Sequence, residues 1–445
     1  MNEILRRHAR EIWQAAVDAV RPEPLVRDAL ADGALGIGHA VRAARRIIVL
    51  GAGKASAAMA AAVEDALADV LDRVQGFVNV PDEAVRPLRK IRLHAARPAG
   101  SNQPTAEGVA GAEQMLRLAR TAGPDDVALC LFSGGGSALS PAPAAGVTLA
   151  DKQAVTKLLH ACGATINQMN AVRKHLSAIK GGRLAEAFRG KALFSLIISD
   201  VIGDPLDVIA SGPTVPDPTT FADVLALLDS LEIRRRVPPA AVTHLERGAA
   251  GEIPETPKRL PATVHNVILG NNVKALAASE SCARGLGYAV LNLGSFIEGE
   301  TSQVAIAVAG IAHSIREQGI PVRPPACVLI GGETTVTLGA DHGLGGRNQE
   351  FVLAALLKLG AVSDVAILSG GTDGEDGPTD AAGAIAAGSE IPRVLWEKAP
   401  EYLQRHDAYH FFEAVGGLLK TGLTQTNVMD VRVVLIAEPR RGDAR

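Results

Sequence analysis

Apolar residues in this chain fall into short runs with a common ending. The runs at 47–50, 75–80, 128–132, 193–199, 267–269, 288–293, 328–330, 365–368 and 431–436 have the length and the bounding residues of strands. At least six of them end in glycine followed by a polar or charged residue, and a helical pattern usually comes next. Residues 3–20 read as an amphipathic helix with Ile4, Leu5, Ile12, Ala16 and Val17 on roughly one side, broken by Pro22 and Pro24. An alanine-rich helix runs from the glycine turn after 47–50 to about Val70. Further helices are expected at 108–119, across a long region at 150–189, near 220–231, and at 301–317 and 351–359.

Strand, glycine turn and helix in succession open a βαβ unit. Its recurrence predicts an α/β fold: two α/β/α domains with mostly parallel sheets, the first Rossmann-like. Five prolines between Pro238 and Pro261, mixed with charged residues, mark an interdomain connection and divide the chain into 1–248 and 262–445. Ligands of parallel α/β sheets gather at the carboxyl ends of the strands. The glycine loops are therefore expected to share a rim within each domain, with the active site in the interdomain cleft.

Composition narrows the function classes. With 47% apolar and 21% charged residues the chain is globular, and 3% aromatic residues leave little for stacking on bases or sugars. A net charge of -3 recruits neither nucleic acid nor membrane, so an anionic ligand must be held by local cations. The cysteines, Cys130, Cys162, Cys282 and Cys327, form no Cys-x-x-Cys pair, which suggests neither a zinc site nor a disulfide framework. The charged first ten residues lack a signal core, and no apolar run reaches the roughly 20 residues of a membrane helix. A reducing cytoplasm is the simplest compartment.

The loop residues supply candidate chemistry. Ser133-Gly134-Gly135-Gly136-Ser137 ends an apolar run and reads as a phosphate or carboxylate cradle, or as a tight turn with nothing bound. Gly51-Ala52-Gly53-Lys54-Ala55-Ser56 nearly matches G-x-G-x-x-G, but serine takes the third place and no acid stands about 20 positions on at a strand end to meet a ribose. It is not a Walker loop. A helix N-terminus disfavours a lysine by ~0.3–1 kcal/mol, so Lys54 makes most sense facing a bound anion, with an exposed lysine as the plain alternative. Arg173, Ser177, Lys180 and Arg183 would line one helix face ending at Gly181-Gly182, and simple capping of the helix end explains them as well.

Asp200 and Asp204 follow one strand, while Asp373, Glu375, Asp376 and Asp380 crowd another. Clustered carboxylates repel unless a metal or a cation is near. Magnesium on phosphates is commonly held by one or two carboxylates plus water, and a solvated acidic loop is the alternative. Arg347, after two glycines at a helix start, offers fork-shaped recognition of carboxylate or phosphate. No G-x-S-x-G signature appears, and His175 reads more readily as a structural helix residue than as a catalyst. Two cations, a donor-rich loop and strand-end carboxylates together suit phosphoryl transfer, which needs positioning and charge neutralisation more than covalent help.

At this level of detail the chain resembles a known family. GAGKAS at 51–56, FSGGGSALSPAP at 132–143, NAVRKHLSAIKGGRLA at 170–185, SDVIGDPLDVIASGPTVPDPT at 199–219, GGET at 331–334, GGRNQE at 345–350 and SGGTDGEDGPTDAAGA at 369–384 look like type II glycerate 2-kinase, with a carboxyl-terminal part (about 325–437) resembling the MOFRL domain. The motifs span most of the chain. The resemblance implies transfer of the γ-phosphoryl group of ATP to the 2-hydroxyl of D-glycerate, with Mg²⁺ or another divalent cation, in a two-domain α/β protein. It makes Lys54 and Arg347 catalytic, and some members carry the label hydroxypyruvate reductase.

The expected site set is then Lys54, Arg347, Asp200 and Asp373 as catalytic residues. Gly53, Ser56, Ser133, Gly134, Gly135, Gly136, Ser137, Arg173, Lys180, Asn271 and Glu333 bind substrate or phosphate, and Asp200, Asp204 and Asp373 meet the metal. Asp200 or Asp373 would hold the metal or accept the hydroxyl proton; the sequence does not separate these roles. An NAD(P)H-dependent hydroxypyruvate reductase is the second reading and a non-catalytic sugar-acid sensor the third. The low-charge helices 55–63 and 351–359 would serve equally as core or as the face of a homodimer.

Overall fold

In the computed structural model, which describes residues 2–31, 33, 36–98 and 103–438, the chain forms two compact units. One is Pro22–Leu269. The other joins Met1–Arg21 to Gly270–Arg445.

The first unit is built on six strands, β1 (Ile47–Ala52), β2 (Val74–Pro81), β3 (Ile91–Arg97), β4 (Val127–Phe132), β5 (Ala192–Ile198) and β6 (Val264–Gly270). They lie in the order β3-β2-β1-β4-β5-β6, and the pairs from β3 through β5 are parallel. This is the strand order of doubly wound dinucleotide-binding folds. Its direction of winding reverses between β1 and β4, which are buried along their whole length, as near-continuous apolar runs covered on both faces must be. The glycine turns after β1 and β4 therefore stand side by side at the switch point, where such sheets open a crevice for ligands.

The helical region expected at 150–189 consists of three helices, Leu149–Ala161, Ile166–His175 and Arg183–Ala187. Thr165 opens the second with a capping box to Gln168, and Gly181 and Gly182 both take left-handed φ angles that end any helical path. The proline-rich stretch 238–261 is not a linker. Pro239–Ala249 is a helix started by its own prolines, and Ala241 and Leu245 bury into a cluster with Phe221, Val224 and Leu228 of the same unit. The chain passes to the second unit at the end of β6 instead. Pro22 likewise opens a new helix, Pro22–Leu30.

The second unit contains β7 (Ala289–Asn292), β8 (Ala326–Gly332), β9 (Val365–Gly371), β10 (Gly383–Ala386), β11 (Leu418–Leu419) and β12 (Asp430–Ile436), ordered β11-β10-β9-β12-β8-β7. Here the expectation of a mostly parallel sheet fails. Among the described residues only β7 and β8 pair in parallel in this sheet, because β12 runs opposite to both its neighbours and β10 turns back on β9. Alternate residues of β8, β9 and β12 feed a core with the helices Thr301–Gln318 and Arg347–Leu359. The helix Asn2–Ala19 also packs here, against β9, β12 and the helix Asn272–Gly285. Trp13 Nε1 donates to Gly370 O at 3.1 Å and Ser279 Oγ to Ile12 O at 2.9 Å. Its apolar stripe was legible in the sequence, but not which sheet it would cover, so the division at 1–248 placed it in the wrong half. The helix segments 55–63 and 351–359 are mostly buried. Among the described residues no helix is long and apolar enough to cross a membrane.

Candidate active site

Each unit carries a rim of candidate residues. In the first unit the two switch-point loops are sewn together. Lys54 N donates to Gly134 O at 2.9 Å, Ala55 N donates to Ser133 Oγ at 3.0 Å, and Ser56 Oγ donates to Leu131 O at 3.1 Å and lies 3.3 Å from Ser133 Oγ. Ser56 and Ser133 are buried, and their hydroxyls hold the loops. Gly53 has φ 157°, and a Cβ there would stand 2.1 Å from Ser133 Oγ, so only glycine lets the loops close. Lys54, Gly135 and Ser137 stay partly exposed beside them. Arg97, buried at the end of β3, was not foreseen. A Cβ added at Gly135 would meet its Nη2 at 3.2 Å and Lys54 Cγ at 3.8 Å, so both cationic chains border the same loop.

Behind Ser137 lies a buried polar group. Lys180 Nζ donates to Ser137 O and Oγ, both at 2.9 Å. Ser137 Oγ is 3.0 Å from Ser211 Oγ, which donates to Asn170 Oδ1 at 3.0 Å. Arg173 sits in the last turn of Ile166–His175, while Ser177, Lys180 and Arg183 lie beyond the end of that helix, so the single helical face expected for them does not exist. Burial lowers the pKa of both Arg173 and Lys180. His175 is fully buried, its Nδ1 2.8 Å from Ala171 O and its ring edge-on to Phe221, in keeping with its structural reading. Asp200 and Asp204 follow β5 and are partly buried.

In the second unit Arg347 is the first residue of its helix, held from two sides. Its Nε and Nη2 donate to Asp430 Oδ2 and Oδ1 at 2.7 and 3.1 Å, and its Nη1 lies 2.8 Å from Glu333 Oε1. Burial works against the Arg347 charge, but Asp430 and Glu333 outweigh it and the guanidinium pKa is raised. Asp430 is fully buried. It also accepts from Asn348 Nδ2 at 2.9 Å and from Arg432 Nη2 at 3.0 Å. Burial alone would push its carboxyl up, and the two arginines bring it below the ordinary value. Burial raises Glu333, with Asp430 and Asp373 adding to the effect and Arg347 opposing it. Arg432 lies inside β12, 5.0 Å over the Phe351 ring.

The acidic run after β9 divides its labour. Asp373 stays at the strand end, where its Oδ1 accepts from Glu375 N at 3.1 Å. Asp376 is buried at the start of the Arg347 helix, accepting from Asn348 N and Gln349 N at 2.9 Å, and burial pushes its pKa up to about 7. Asp380 pairs on the surface with Lys420 at 2.8 Å. Asn271 caps the helix Asn272–Gly285 by accepting from Lys274 N at 2.9 Å. Among the described residues no three His, Cys, Asp or Glu side chains group to hold a metal. Asp430, Arg432, Arg97, Asn170 and Ser211 escaped the sequence reading. The signal for the first two was a charged residue inside the apolar run 431–436.

The chain matches known proteins along most of its length. Residues 8–246 match the family described as a domain of unknown function, DUF4147, and residues 326–430 match the MOFRL family. A protein of Pyrococcus horikoshii named glycerate 2-kinase is 38% identical over 398 residues, covering 89% of this chain and 88% of that protein. One from Agrobacterium vitis with the provisional name hydroxypyruvate reductase is 42% identical over 437 residues, covering 97% and 94%. The crystal structure of glycerate kinase from Thermotoga maritima superposes with a TM-score of 0.86 at 34% identity, covering 98% of this chain and 100% of that one.

Proposed function

We propose a function from one premise: this chain belongs to the DUF4147 family, with a MOFRL family region after it. It is a glycerate 2-kinase, transferring the γ-phosphoryl group of ATP to the 2-hydroxyl of D-glycerate to give 2-phosphoglycerate and ADP. The observation that carries this reading is the switch-point pair of loops, where the Lys54 and Arg97 side chains border the glycine turn after β4 at adjacent strand ends. Cations fixed in this way stabilise charge building on a transferring phosphoryl group.

Lys54 and Arg347 supply the two cationic contacts. Asp430 and Asn348 hold the Arg347 fork, and Glu333 occupies its remaining edge. Asp200, Asp204 and Asp373 are assigned to the divalent cation accompanying the nucleotide, which neutralises phosphate charge. The substrates are small molecules. The proposed setting is the cytoplasm, which suits cysteines that are all free thiols.

The reductase reading is weaker, although one sequence argument against it softens. Asp82 directly follows β2, the strand end where a ribose-binding acid stands in nicotinamide enzymes, at a longer spacing than the fingerprint asks. What favours the kinase is that the Pyrococcus relative and the solved Thermotoga structure bear the kinase name outright, while the Agrobacterium relative bears the reductase name only provisionally. A coupled assay that distinguishes the two phosphoglycerate isomers tests the proposal. The expected product from ATP and D-glycerate is the 2-isomer, with no loss of nicotinamide absorbance when hydroxypyruvate replaces glycerate. Formation of the 3-isomer, or hydroxypyruvate-dependent NAD(P)H oxidation without phosphoryl transfer, refutes it.

A further inference from the structure

The buried chain behind Ser137 has the composition of a proton acceptor. Lys180 is 2% exposed. Its Nζ has three oxygen neighbours, Ser137 O at 2.9 Å, Ser137 Oγ at 2.9 Å and Ala210 O at 3.4 Å. Two of these are carbonyls that can only accept, and the third is a hydroxyl that can accept or donate. A neutral amine has two N–H donors and one lone pair. The two donors match the two carbonyls, and the lone pair matches the Ser137 hydroxyl.

The rest of the chain tolerates either direction. With an ammonium at Lys180, donation runs from Nζ to Ser137, to Ser211 and on to Asn170 Oδ1. With a neutral amine it runs the other way once the Asn170 amide turns its Nδ2 toward Ser211, and the two ends of an amide are interchangeable in shape. Asn170 is buried and its Nδ2 has no hydrogen-bond partner as placed.

The charged groups around Lys180 favour the neutral form. Lys152, on the helix Leu149–Ala161, and Arg173, on Ile166–His175, both act to lower its pKa, after burial. Arg183 bears on Lys152 in the same sense. The nearby carboxylates Asp207 and Asp217 are directed to Lys174, at 3.1 and 3.6 Å. Unlike Lys180, Ser137 reaches the surface of the glycine loop.

We propose that Ser137 and Lys180 accept the proton of the hydroxyl that is phosphorylated, with Ser137 touching the substrate and Lys180 acting through it. The assignment rests on the kinase reading. As the substrate oxygen bonds to the γ-phosphorus, its proton passes to Ser137 Oγ and the Ser137 proton passes to Lys180 Nζ, which becomes an ammonium. The bond from the γ-phosphorus to the bridging oxygen breaks, and its electron pair leaves on the β-phosphate of ADP. The proton returns to water once the product has gone. This moves the base from Asp200 or Asp373 to a lysine, a residue that serves as a general base when burial keeps it neutral.

Lys180→Met tests the pair, with kcat and KM measured across pH and the fold checked by circular dichroism. Wild-type kcat should rise with pH through an acid limb, because the neutral amine is the working form. In Lys180→Met, kcat should fall by roughly 10²–10⁴-fold, the usual contribution of a general base. The acid limb should vanish, and KM for ATP should change little. Ser137→Ala leaves the amine in place and removes the relay, so it should show a loss of kcat of similar size and carries the test if Lys180→Met does not fold. A Lys180→Met enzyme that keeps the wild-type acid limb, or Ser137→Ala turnover close to wild type, overturns the assignment alone. A wild-type chain that makes no phosphoglycerate overturns the kinase reading and the assignment with it.

Discussion

Asp430→Asn keeps the shape of a side chain and removes the charge that two arginines share. Asp430 accepts from Arg347 Nε and Nη2, from Arg432 Nη2 and from Asn348 Nδ2, all within 3.1 Å. An amide offers one oxygen, so whichever way it turns its NH₂ group faces a donor. Removing one partner of a buried ion pair costs about 3–5 kcal/mol, most of it from the charge left behind. Here two guanidinium groups are left, one of them fully buried. Part of the cost should appear as a lower melting temperature, and part as Arg347 leaving its orientation. A misplacement of about 1 Å in a positioning group can cost on the order of 100-fold in rate. Expected, therefore, is a fall of at least roughly 100-fold in kcat/KM for glycerate, carried mainly by kcat, which corresponds to about 2.7 kcal/mol of lost transition-state stabilisation. Steady-state kinetics with the isomer-specific coupled assay, alongside thermal melts at the same pH, measures both parts. A folded Asp430→Asn enzyme with turnover within about threefold of wild type would show that Arg347 needs no clamp and would refute the reasoning.

The two proposed cationic contacts and one buried lysine provide further tests. Lys54→Ala and Arg347→Ala should each lower kcat by orders of magnitude without unfolding the chain, and steady-state turnover near wild type in either variant would remove that residue from the mechanism. Lys152 is buried, donates to Leu176 O at 2.8 Å, and burial followed by Arg173 and Arg183 lowers its pKa to about 7. Its folded value lies below the unfolded one, so the penalty is present in full below about pH 7 and is relieved as pH rises toward the ordinary amine value. A shift of this size corresponds to about 5 kcal/mol, against about 1 kcal/mol for the hydrogen bond. Lys152→Met should thus raise the denaturation midpoint near pH 6 and lose that advantage near pH 10, and equal effects at the two pH values would count against it.

Much of the fold was legible because it is written locally. The runs that became β1, β4, β8 and β9 are apolar and end at or next to glycine, so burial on both faces leaves its mark in the sequence. What failed to show was decided at a distance. The helix Asn2–Ala19 displays an apolar stripe, but its partners β9 and β12 lie hundreds of residues away. Pro238 and Pro239 carry the same composition whether they loosen a linker or start a helix. Ser56 and Ser133 read as ligand donors because their hydroxyls are real donors, and only the close approach of two loops shows where those hydroxyls are used.

The case of Asp430 gives the general reason. The rule that chemistry gathers where parallel strands end directs attention to residues after glycine turns, and it found Glu333 and Asp373. β12 is antiparallel, so its first residue stands beside the last residues of its neighbours: Asp430 pairs with Gly332 of β8 and with Gly371 of β9. A residue at the beginning of the final strand thereby joins the same rim. Strand direction is a property of the whole sheet and is written in no single run, but a trace of it is local. Arg432 interrupts an otherwise apolar strand and is fully buried, and a buried arginine needs a carboxylate within reach. The nearest candidate in sequence is Asp430, two residues back on the same face. An arginine inside an apolar run thus points to Asp430 as its counter-charge, while the step from Asp430 to Arg347 needs the strand direction.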